Sequence, residues 1–382
     1  MLDKRHQIFK HKHFVLAIDH YNPLAIVRSL GEEGLNPIVL LNGHKNSRIE
    51  RSKYVKDIFY FDSFEAALDY LIQNYSNEEF KPFIYNGTDE TTLLLDNNYE
   101  KLKDHFYFMN GGGKLSRFME KYFQTITADK VGIQIPREEL LKTGILPTSL
   151  RYPVMTKATT SAQGGNWKAN AFICENESEL KQAYSQMSVD TILVQEYIRK
   201  KNELCIDGIS INGGEKVFMP YGCNYFSMTK DSYGGYIYYT PFNNKDLISK
   251  ITSLLREFDY SGIFCIEFLE GEDGKYYFLE VNLRHSGWGY AYTYGGYNLP
   301  VRWAISTLEN EISMRDFKQR KYFTAMSEWD DINTRFVNRE ISLFRWIKDF
   351  IKVDCTLYSN RKDNLFFYKN VLGMIVSAIK RR

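Results

Sequence analysis

The chain has 382 residues, 44% of them hydrophobic and 25% charged, and a formal net charge of +2. These values are typical of a globular protein, and they disfavour disorder and a general nucleic-acid partner. The length predicts two or three domains. The N-terminal stretch MLDKRHQIFKHKHFVLAID lacks an apolar signal region, and no window elsewhere approaches about 18 uninterrupted apolar residues. We therefore expect a cytoplasmic protein.

Residues 13 to about 110 alternate short apolar runs with amphipathic stretches. This alternation predicts parallel strands with crossover helices, and therefore a small Rossmann-like domain over residues 1–113. The first strand is followed by AIDHYNP instead of GxGxxG, which disfavours a dinucleotide. Asp19, His20 and Asn22 would lie at the carboxyl end of that strand, where such sheets bind ligands, although a turn and helix cap at Asn22-Pro23 explain them equally well. Asp89, in NGTDE, is a similar candidate with the same alternative.

Three glycines at 111–113 predict a junction between domains more than a phosphate-binding loop. After a helix that ends near residue 131, the stretch from 150 to 290 is rich in strands and turns, which predicts an α+β unit over residues 114–310. Residues 311–382 are expected to be a helical segment. Its end, FFYKNVLGMIVSAIKRR, is amphipathic and basic, and packing onto the core is favoured over a position on a membrane surface. The five cysteines form no CxxC pair and are expected to be reduced.

Polar residues alternate with apolar ones in FLEVNLRHSGW, residues 278–288. In a strand this spacing places Glu280, Asn282 and Arg284 on one face. A hairpin turn, EGEDGK, joins this strand to the preceding one, so Glu267 can share that face. Two adjacent carboxylates repel unless a cation lies between them, and with an amide oxygen they form a hard site suited to Mg²⁺, with Mn²⁺ as an alternative. A surface-facing acid pair is the other interpretation.

Cations and acids that suit a nucleotide precede this hairpin in order. Lys121 lies on a predicted helix, with Lys130 as a competitor, and Lys157 ends the strand PVMTK. The polar loop ATTSAQGGNWK follows, and then the strand ILVQEYI and Glu203.

This constellation resembles the ATP-grasp superfamily over about residues 115–305, with GIQIP, PVMTK and ExNxR as matching motifs. The resemblance implies an ATP-grasp fold, divided at about residue 198 into a nucleotide-lid part and a metal and catalytic part. It implies that Lys121 and Lys157 contact the phosphates, that Glu203 binds the ribose, and that Arg284 steadies an acyl-phosphate. The residues implied to bind the nucleotide also include the adenine hinge, Gln195, Glu196, Tyr197 and Ile198, in which backbone groups of Tyr197 and Ile198 contact the base. The loop glycines Gly164 and Gly165 complete the implied nucleotide site. Glu267, Glu280 and Asn282 are the implied metal ligands. Lys230, in YFSMTKDSYGGY, is a further candidate phosphate contact from a hairpin loop, with an ordinary exposed lysine as the alternative.

The implied activity is that of an ATP-dependent carboxylate-amine ligase acting on small molecules. Likeness to D-aspartate ligase-like proteins suggests an amino acid substrate for cell-envelope precursors, and homodimers are common in the superfamily. Alternatives are carbamoyl-phosphate chemistry, as in relatives of the carbamoyl-phosphate synthase large subunit, a regulatory nucleotide-binding protein without catalysis, and a phosphotransferase. The complete set Glu267, Glu280, Asn282 and Arg284 favours catalysis.

Overall fold

The computed structural model describes residues 7–158, 171–226, 234–314, 319–363 and 367–381. Residues 7–113 form a unit around a parallel sheet. Its strands are β1 (His13–Ala17), β2 (Ile38–Asn42), β3 (Asp57–Phe61), β4 (Phe83–Asn86) and β5 (Tyr107–Phe108). Its helices are α1 (Tyr21–Glu32), α2 (Phe64–Tyr75), α3 (Asp89–Asn97) and α4 (Tyr99–Leu102). The strand order is β3-β2-β1-β4-β5, with every pair parallel, as the alternation predicted.

The ends of β1 and β4 bring their polar loops together. The loop after β1 reaches Asn22, and the loop after β4 begins α3 with a capping box between Thr88 and Thr91. The cap of α1 is His20, whose side chain accepts from the Asn22 backbone N–H. Asn22 therefore does not act as the cap, and its side chain is buried at this edge of the sheet.

The glycine junction is a turn built on Asp96. The buried Asp96 carboxylate accepts hydrogen bonds from the backbone N–H groups of Gly111 (2.8 Å), Gly113 (3.1 Å) and Leu115 (2.7 Å). Gly112 and Gly113 have φ values of 64° and 81°, which favour glycine. These N–H groups already bind a carboxylate, so the glycines serve the junction.

A second sheet belongs to residues 114 to 198. The elements here are α5 (Leu115–Phe118), α6 (Lys121–Lys130), β6 (Glu138–Lys142), β7 (Val154–Ala158), β8 (Ile173–Cys174), α7 (Glu177–Tyr184) and β9 (Thr191–Glu196). The strand order is β6-β9-β7-β8 and the pairs are antiparallel. One face packs on α7 in a separate small core around Val154, Leu180 and Val194.

A third, larger sheet follows. Its first elements are β10 (Lys200–Ile211), β11 (Lys216–Phe218), β12 (Tyr221–Tyr225), β13 (Tyr236–Pro241), α8 (Lys245–Glu257), β14 (Gly262–Gly271), β15 (Tyr276–Asn282), α9 (Gly289–Tyr294) and α10 (Leu299–Glu309). The order is β15-β14-β10-β12-β13, and β11 pairs with β10. Its core is continuous with that of α1 and β1, which joins the sheet to the N-terminal unit.

The C-terminal segment contains helices and also extends this sheet. It contains β16 (Phe323–Met326), α11 (Glu328–Asp331), a π-helical turn (Ile332–Val337), α12 (Leu343–Lys352), β17 (Cys355–Thr356) and α13 (Phe367–Arg381). β16 pairs with β13, and β17 pairs with β16. Arg28 of α1 fastens the segment to the N-terminal unit, because its guanidinium donates to Asp363 Oδ2 (2.8 Å) and Leu357 O (2.7 Å). All five cysteines are buried free thiols, as expected.

Candidate active site

The hairpin β14–β15 places two carboxylates side by side. Glu267 and Glu280 are direct partners in the antiparallel register. Asn282 Nδ2 lies 3.2 Å from Glu267 Oε1 and 3.5 Å from Glu280 Oε1. The three predicted metal ligands therefore form one cluster.

The alternation in β15 sorts its side chains as the sequence predicted. Val281 and Leu283 are buried in the core. Glu280, Asn282 and Arg284 are partly exposed on the opposite face. The acids are therefore neither core residues nor freely solvated surface residues.

The electrostatics of the acid pair are asymmetric. Burial, the charge of Glu280 and the charge of Glu203 raise the pKa of Glu267 to about 8. Burial alone would also raise the pKa of Glu280, but Lys121 and Arg284 hold it below its ordinary value. One of the two acids therefore keeps a proton at neutral pH, and a divalent cation would displace it.

Lys121 reaches this pair from the start of α6. Its Nζ lies 3.1 Å from Glu280 Oε2. The helix is held against β15 by Gln124, whose amide donates to Val281 O (2.9 Å) and accepts from Val281 N–H (2.9 Å). Because Gln124 is one turn after Lys121, this double contact orients the lysine. The sequence analysis did not single out Gln124.

The competing lysine lies elsewhere. Lys130, at the other end of α6, pairs with Glu257 of α8 at 2.5 Å, and both side chains are exposed. This pairing removes Lys130 from the candidates for the cleft and leaves Lys121.

Lys157 is the second predicted cation. Burial and the charge of Lys121 lower its pKa to about 8, against the opposing charges of Glu138, Glu280 and Glu203. No carboxylate in the described part of the chain lies within ion-pair distance of its Nζ. A lysine in this state gains most from an anionic ligand, since the ligand would keep it charged.

Two further acids face the same region. Glu203 is 1% exposed, with one oxygen 2.9 Å from Lys200 Nζ and the other without a hydrogen-bond partner among the described residues. Burial raises its pKa. Glu138 of β6, which the sequence analysis missed, accepts from Gln195 Nε2 (2.7 Å), and burial raises its pKa as well. Glu138 lies directly opposite Gln195 in the register of β6 and β9, a long-range pairing that a single sequence does not reveal.

The predicted hinge, residues 195–198, runs from the end of β9 towards β10. The Tyr197 N–H donates to Pro153 O (2.9 Å), and the Glu196 carboxylate accepts from the Arg151 N–H (3.2 Å). The Tyr197 N–H is therefore already engaged within the protein, and the backbone groups of Ile198 stay candidates for contact with the adenine base.

Arg284 connects the face of β15 that carries Glu280 and Asn282 to the N-terminal unit. Its Nε lies 2.7 Å from Asp89 Oδ1, and its Nη2 donates to Asn282 Oδ1 (3.0 Å). Asp89 is thus the ion-pair partner of Arg284, and among the described residues neither Glu267 nor Glu280 forms an ion pair with it.

A buried network supports this position. Asn22 Nδ2 donates to Gly87 O (2.7 Å) and His285 O (2.8 Å), and Asn22 Oδ1 lies 2.7 Å from His285 Nδ1. Since an amide oxygen only accepts, His285 Nδ1 carries the proton. Burial, followed by the charge of Arg284, lowers the pKa of His285 to about 3, so the ring is neutral.

Beyond Arg284, aromatic residues of α1 and of the C-terminal segment meet. The rings of Tyr21 and Tyr358 have centroids 4.9 Å apart. A Cβ at Gly287 would lie 2.7 Å from a Tyr21 ring carbon, so the glycine allows the ring to approach. Burial raises the pKa of Tyr21, and the charges of Asp330 and Arg284 also act on it, which places both charges near the ring. Asp330 accepts from the Ser327 hydroxyl.

Three predicted residues cannot be located here, because Gly164, Gly165 and Lys230 lie outside the described residues. The side chain of Asn298 stabilises the fold, because it caps α10 and its amide donates to Ser29 O (2.6 Å).

The donor set fits a hard cation that takes part of its coordination from another ligand. In the described ranges, no three His, Cys, Asp or Glu side chains are grouped to hold a metal ion. Two carboxylates supply only part of an octahedral shell, which is how Mg²⁺ is bound when phosphates and water complete it. The Asn282 amide turns its nitrogen to the carboxylates and its oxygen to Arg284, so this side chain would have to rotate to add its oxygen to the shell. The raised pKa of Glu267 supports this fit, because a cation would relieve the repulsion that raises it.

No family model matches the sequence, and no curated protein matches it. Solved structures do match in fold. The chain is similar to N5-carboxyaminoimidazole synthetase from Staphylococcus aureus complexed with ADP, at a TM-score of 0.64 and 12% identity over 86% of each chain. It is similar to L-amino acid ligase from Bacillus licheniformis, at a TM-score of 0.62 and 16% identity over 82% of this chain and 79% of that one.

A third match is the biotin carboxylase domain of Hydrogenobacter thermophilus 2-oxoglutarate carboxylase in complex with MgADP, ADP and bicarbonate, at a TM-score of 0.61 and 16% identity over 82% of this chain and 73% of that one. These three proteins are ATP-grasp enzymes. The chain therefore has the ATP-grasp fold, preceded by a Rossmann-like domain, as its motifs predicted.

Proposed function

We propose that this chain is an ATP-dependent ligase that joins a carboxylate to an amine through an acyl-phosphate and releases ADP and phosphate. The observation that carries the proposal is the common face of β14 and β15. It combines Glu267, Glu280 and Asn282 with a cation on either side, Lys121 and Arg284. A chain that had lost catalysis would have no reason to keep this complete set.

The nucleotide would lie between the second and third sheets. Lys121 and Lys157 are proposed to bind its phosphates, residues 195–198 its base, and Glu203 its ribose hydroxyls. The lowered pKa of Lys157 and the Glu203 oxygen that has no partner among the described residues support these roles. An anionic ligand would keep the lysine charged, and ribose hydroxyls would satisfy the buried oxygen. Gly164, Gly165 and Lys230 stay proposed phosphate contacts.

Glu267, Glu280 and Asn282 are proposed to hold Mg²⁺, with Mn²⁺ as an alternative. When bound there, the ion would neutralise phosphate charge. Lys121 is already paired with Glu280, so a cation at the acids would release its ammonium group towards the phosphates.

The reaction would proceed in two displacements. A carboxylate oxygen of the substrate attacks the γ-phosphorus of ATP, the bond to the β-phosphate oxygen breaks, and ADP leaves. The amine then attacks the acyl carbon, phosphate leaves, and the nitrogen loses a proton. Arg284 is proposed to orient the acyl-phosphate and to stabilise the oxyanion, because a guanidinium binds two oxygens at once. Its contacts with Asp89 and Asn282 hold it in place for this task.

The substrates are proposed to enter between α1 and the C-terminal segment. Tyr21 packs against Tyr358, and the charges of Arg284 and Asp330 both act on Tyr21, which gives this region a cation for a carboxylate and an acid for an ammonium group. An amino acid carries both groups, and one matched protein is an L-amino acid ligase. We therefore propose an amino acid as one substrate, with cell-envelope precursors among the acceptors to test.

The test is ADP and phosphate release from Mg-ATP with a panel of amino acids and small carboxylates, each paired with amine acceptors. The wild type is compared with Glu280→Gln and with the exposed control Glu257→Gln. Release that depends on both substrates and is lost only in Glu280→Gln supports the ligase. AMP as the product would refute the acyl-phosphate route, and nucleotide binding without turnover would favour the regulatory alternative.

A further inference from the structure

Two helices at the C-terminus expose large apolar side chains. On α12, Phe344 is 80% exposed and Ile351 is 74% exposed. On α13, Leu372, Val376 and Ile379 are each more than half exposed. These five residues are the C-terminal apolar face. Their spacing of three, four or seven places each pair on one side of its helix.

The opposite sides of both helices hold them to the protein. Trp346 of α12 and Met374 and Ala378 of α13 are buried in one core with Ile332 and Phe336. Each helix thus has one wide apolar arc, of which part packs on the core and the rest forms the exposed C-terminal apolar face. The sequence analysis favoured packing of the last helix over a membrane position, but the structure shows that packing leaves an apolar side uncovered by the described residues.

The charge around this face is positive. Residues 339–382 contain ten Lys and Arg against four Asp and Glu, whereas the whole chain has a net charge of +2. Two of those acids are engaged inside the protein, Asp349 with Arg335 and Asp363 with Arg28. The exposed charged residues of the two helices are Arg345, Lys348, Lys352, Lys380 and Arg381.

We propose that the C-terminal apolar face docks on an anionic lipid surface. Apolar side chains on one side of a helix with basic residues beside them are the features of helices that lie in the membrane interface. Each basic residue near an anionic leaflet adds attraction. Crossing the bilayer is a different matter, since every helix in the described residues is too short or too polar to do so.

A second copy of the chain is the less suitable occupant. A two-fold dimer would bring the same face of both copies together, and with it two sets of basic residues. Like charges across an interface disfavour association, whereas anionic headgroups complement them. The proposal is independent of the ligase activity, because no residue of the active site takes part.

The experiment measures cosedimentation of the full chain with vesicles of phosphatidylcholine alone and of phosphatidylcholine mixed with phosphatidylserine. We expect binding to the mixed vesicles that weakens with added salt. Phe344→Ser combined with Ile351→Ser should weaken binding roughly tenfold or more, because two large apolar side chains no longer enter the interface. Lys348→Glu with Lys352→Glu should also weaken binding, and the binding that remains should depend less on the salt concentration.

Ile145→Ser is the matched control, since Ile145 is an exposed apolar residue outside the C-terminal segment, and it should bind as the wild type does. Thermal melting of each variant shows whether it is folded. Equal sedimentation with and without the mixed vesicles would overturn the proposal. A concentration-dependent dimer that Phe344→Ser disrupts, seen by sedimentation velocity without lipid, would also overturn it in favour of a second copy.

Discussion

Arg284 Nε lies 2.7 Å from Asp89 Oδ1, and this ion pair connects the segment after β15 to the first turn of α3. The same guanidinium donates to Asn282 Oδ1. Asp89 touches neither Glu267 nor Glu280, yet it fixes the cation beside them. The N-terminal unit therefore contributes directly to the geometry of the proposed acyl-phosphate site.

Asp89→Asn should slow turnover while nucleotide binding stays close to that of the wild type. The variant keeps the shape of Asp89 but loses a charge-assisted contact, so Arg284 is free to turn away; a fall in kcat of roughly tenfold to a hundredfold is expected. Steady-state ADP release measures it, and Glu90→Gln on the exposed side of α3 is the control. An unchanged kcat would show that Asp89 does not position Arg284.

Glu280→Gln should abolish the magnesium dependence of nucleotide binding. The change removes one of the paired carboxylates and also the partner of Lys121. Titration calorimetry with ADP, with and without Mg²⁺, should show a large gain from Mg²⁺ in the wild type and little gain in the variant. If both proteins gain equally, the ion is held elsewhere.

The local parts of the fold followed from the sequence, because strand and helix periods are properties of short segments. The face shared by Glu280, Asn282 and Arg284 is such a case. The partners of those residues are not, since Asp89 is 195 positions away from Arg284 and Gln124 is 157 positions away from Val281. One sequence contains no signal for these pairings. The C-terminal strands were missed for another reason: β17 has two residues and β16 has four, too few for a period.

Glu203→Gln should weaken discrimination between ATP and its deoxyribose analogues. One oxygen of the buried carboxylate has no partner among the described residues, and a neutral amide would be a poorer acceptor for ribose hydroxyls. The free energy of unfolding should change little, because burial already disfavours the charged form. The readout is the ratio of Kd values for ATP and 2′-deoxy-ATP, and an unchanged ratio would remove Glu203 from the ribose site.

Acid should destabilise the protein through two buried histidines. Burial lowers the pKa of His285 to about 3 and that of His13 to about 4, below the unfolded value of 6.5. Between these limits the unfolded chain binds more protons, so stability is present above pH 6.5 and is lost as pH falls. The slope is at most about 1.4 kcal/mol per pH unit for each histidine. When unfolding in urea is measured at several pH values, the free energy of unfolding should fall less steeply with decreasing pH for His285→Gln than for the wild type.

Nucleotide affinity should fall as pH rises through about 8, and Lys157 should be the cause. Burial and the charge of Lys121 lower its pKa to about 8, so the free protein loses this cation above that pH. Bound phosphates would raise the pKa again, and binding at alkaline pH must then take up a proton, which weakens affinity by up to roughly tenfold per pH unit.

Calorimetry with ADP between about pH 7 and pH 10, in two buffers of different ionisation enthalpy, measures both the affinity and the proton uptake. Lys157→Met should bind more weakly at neutral pH, by roughly tenfold to a hundredfold, and should lose the dependence near pH 8. Lys130→Met, which removes an exposed lysine paired with Glu257, should keep it. If Lys157→Met and the wild type show the same pH profile, another group binds the phosphates. The pH dependence would disappear with Lys157 only if the protonation of this lysine is coupled to phosphate binding.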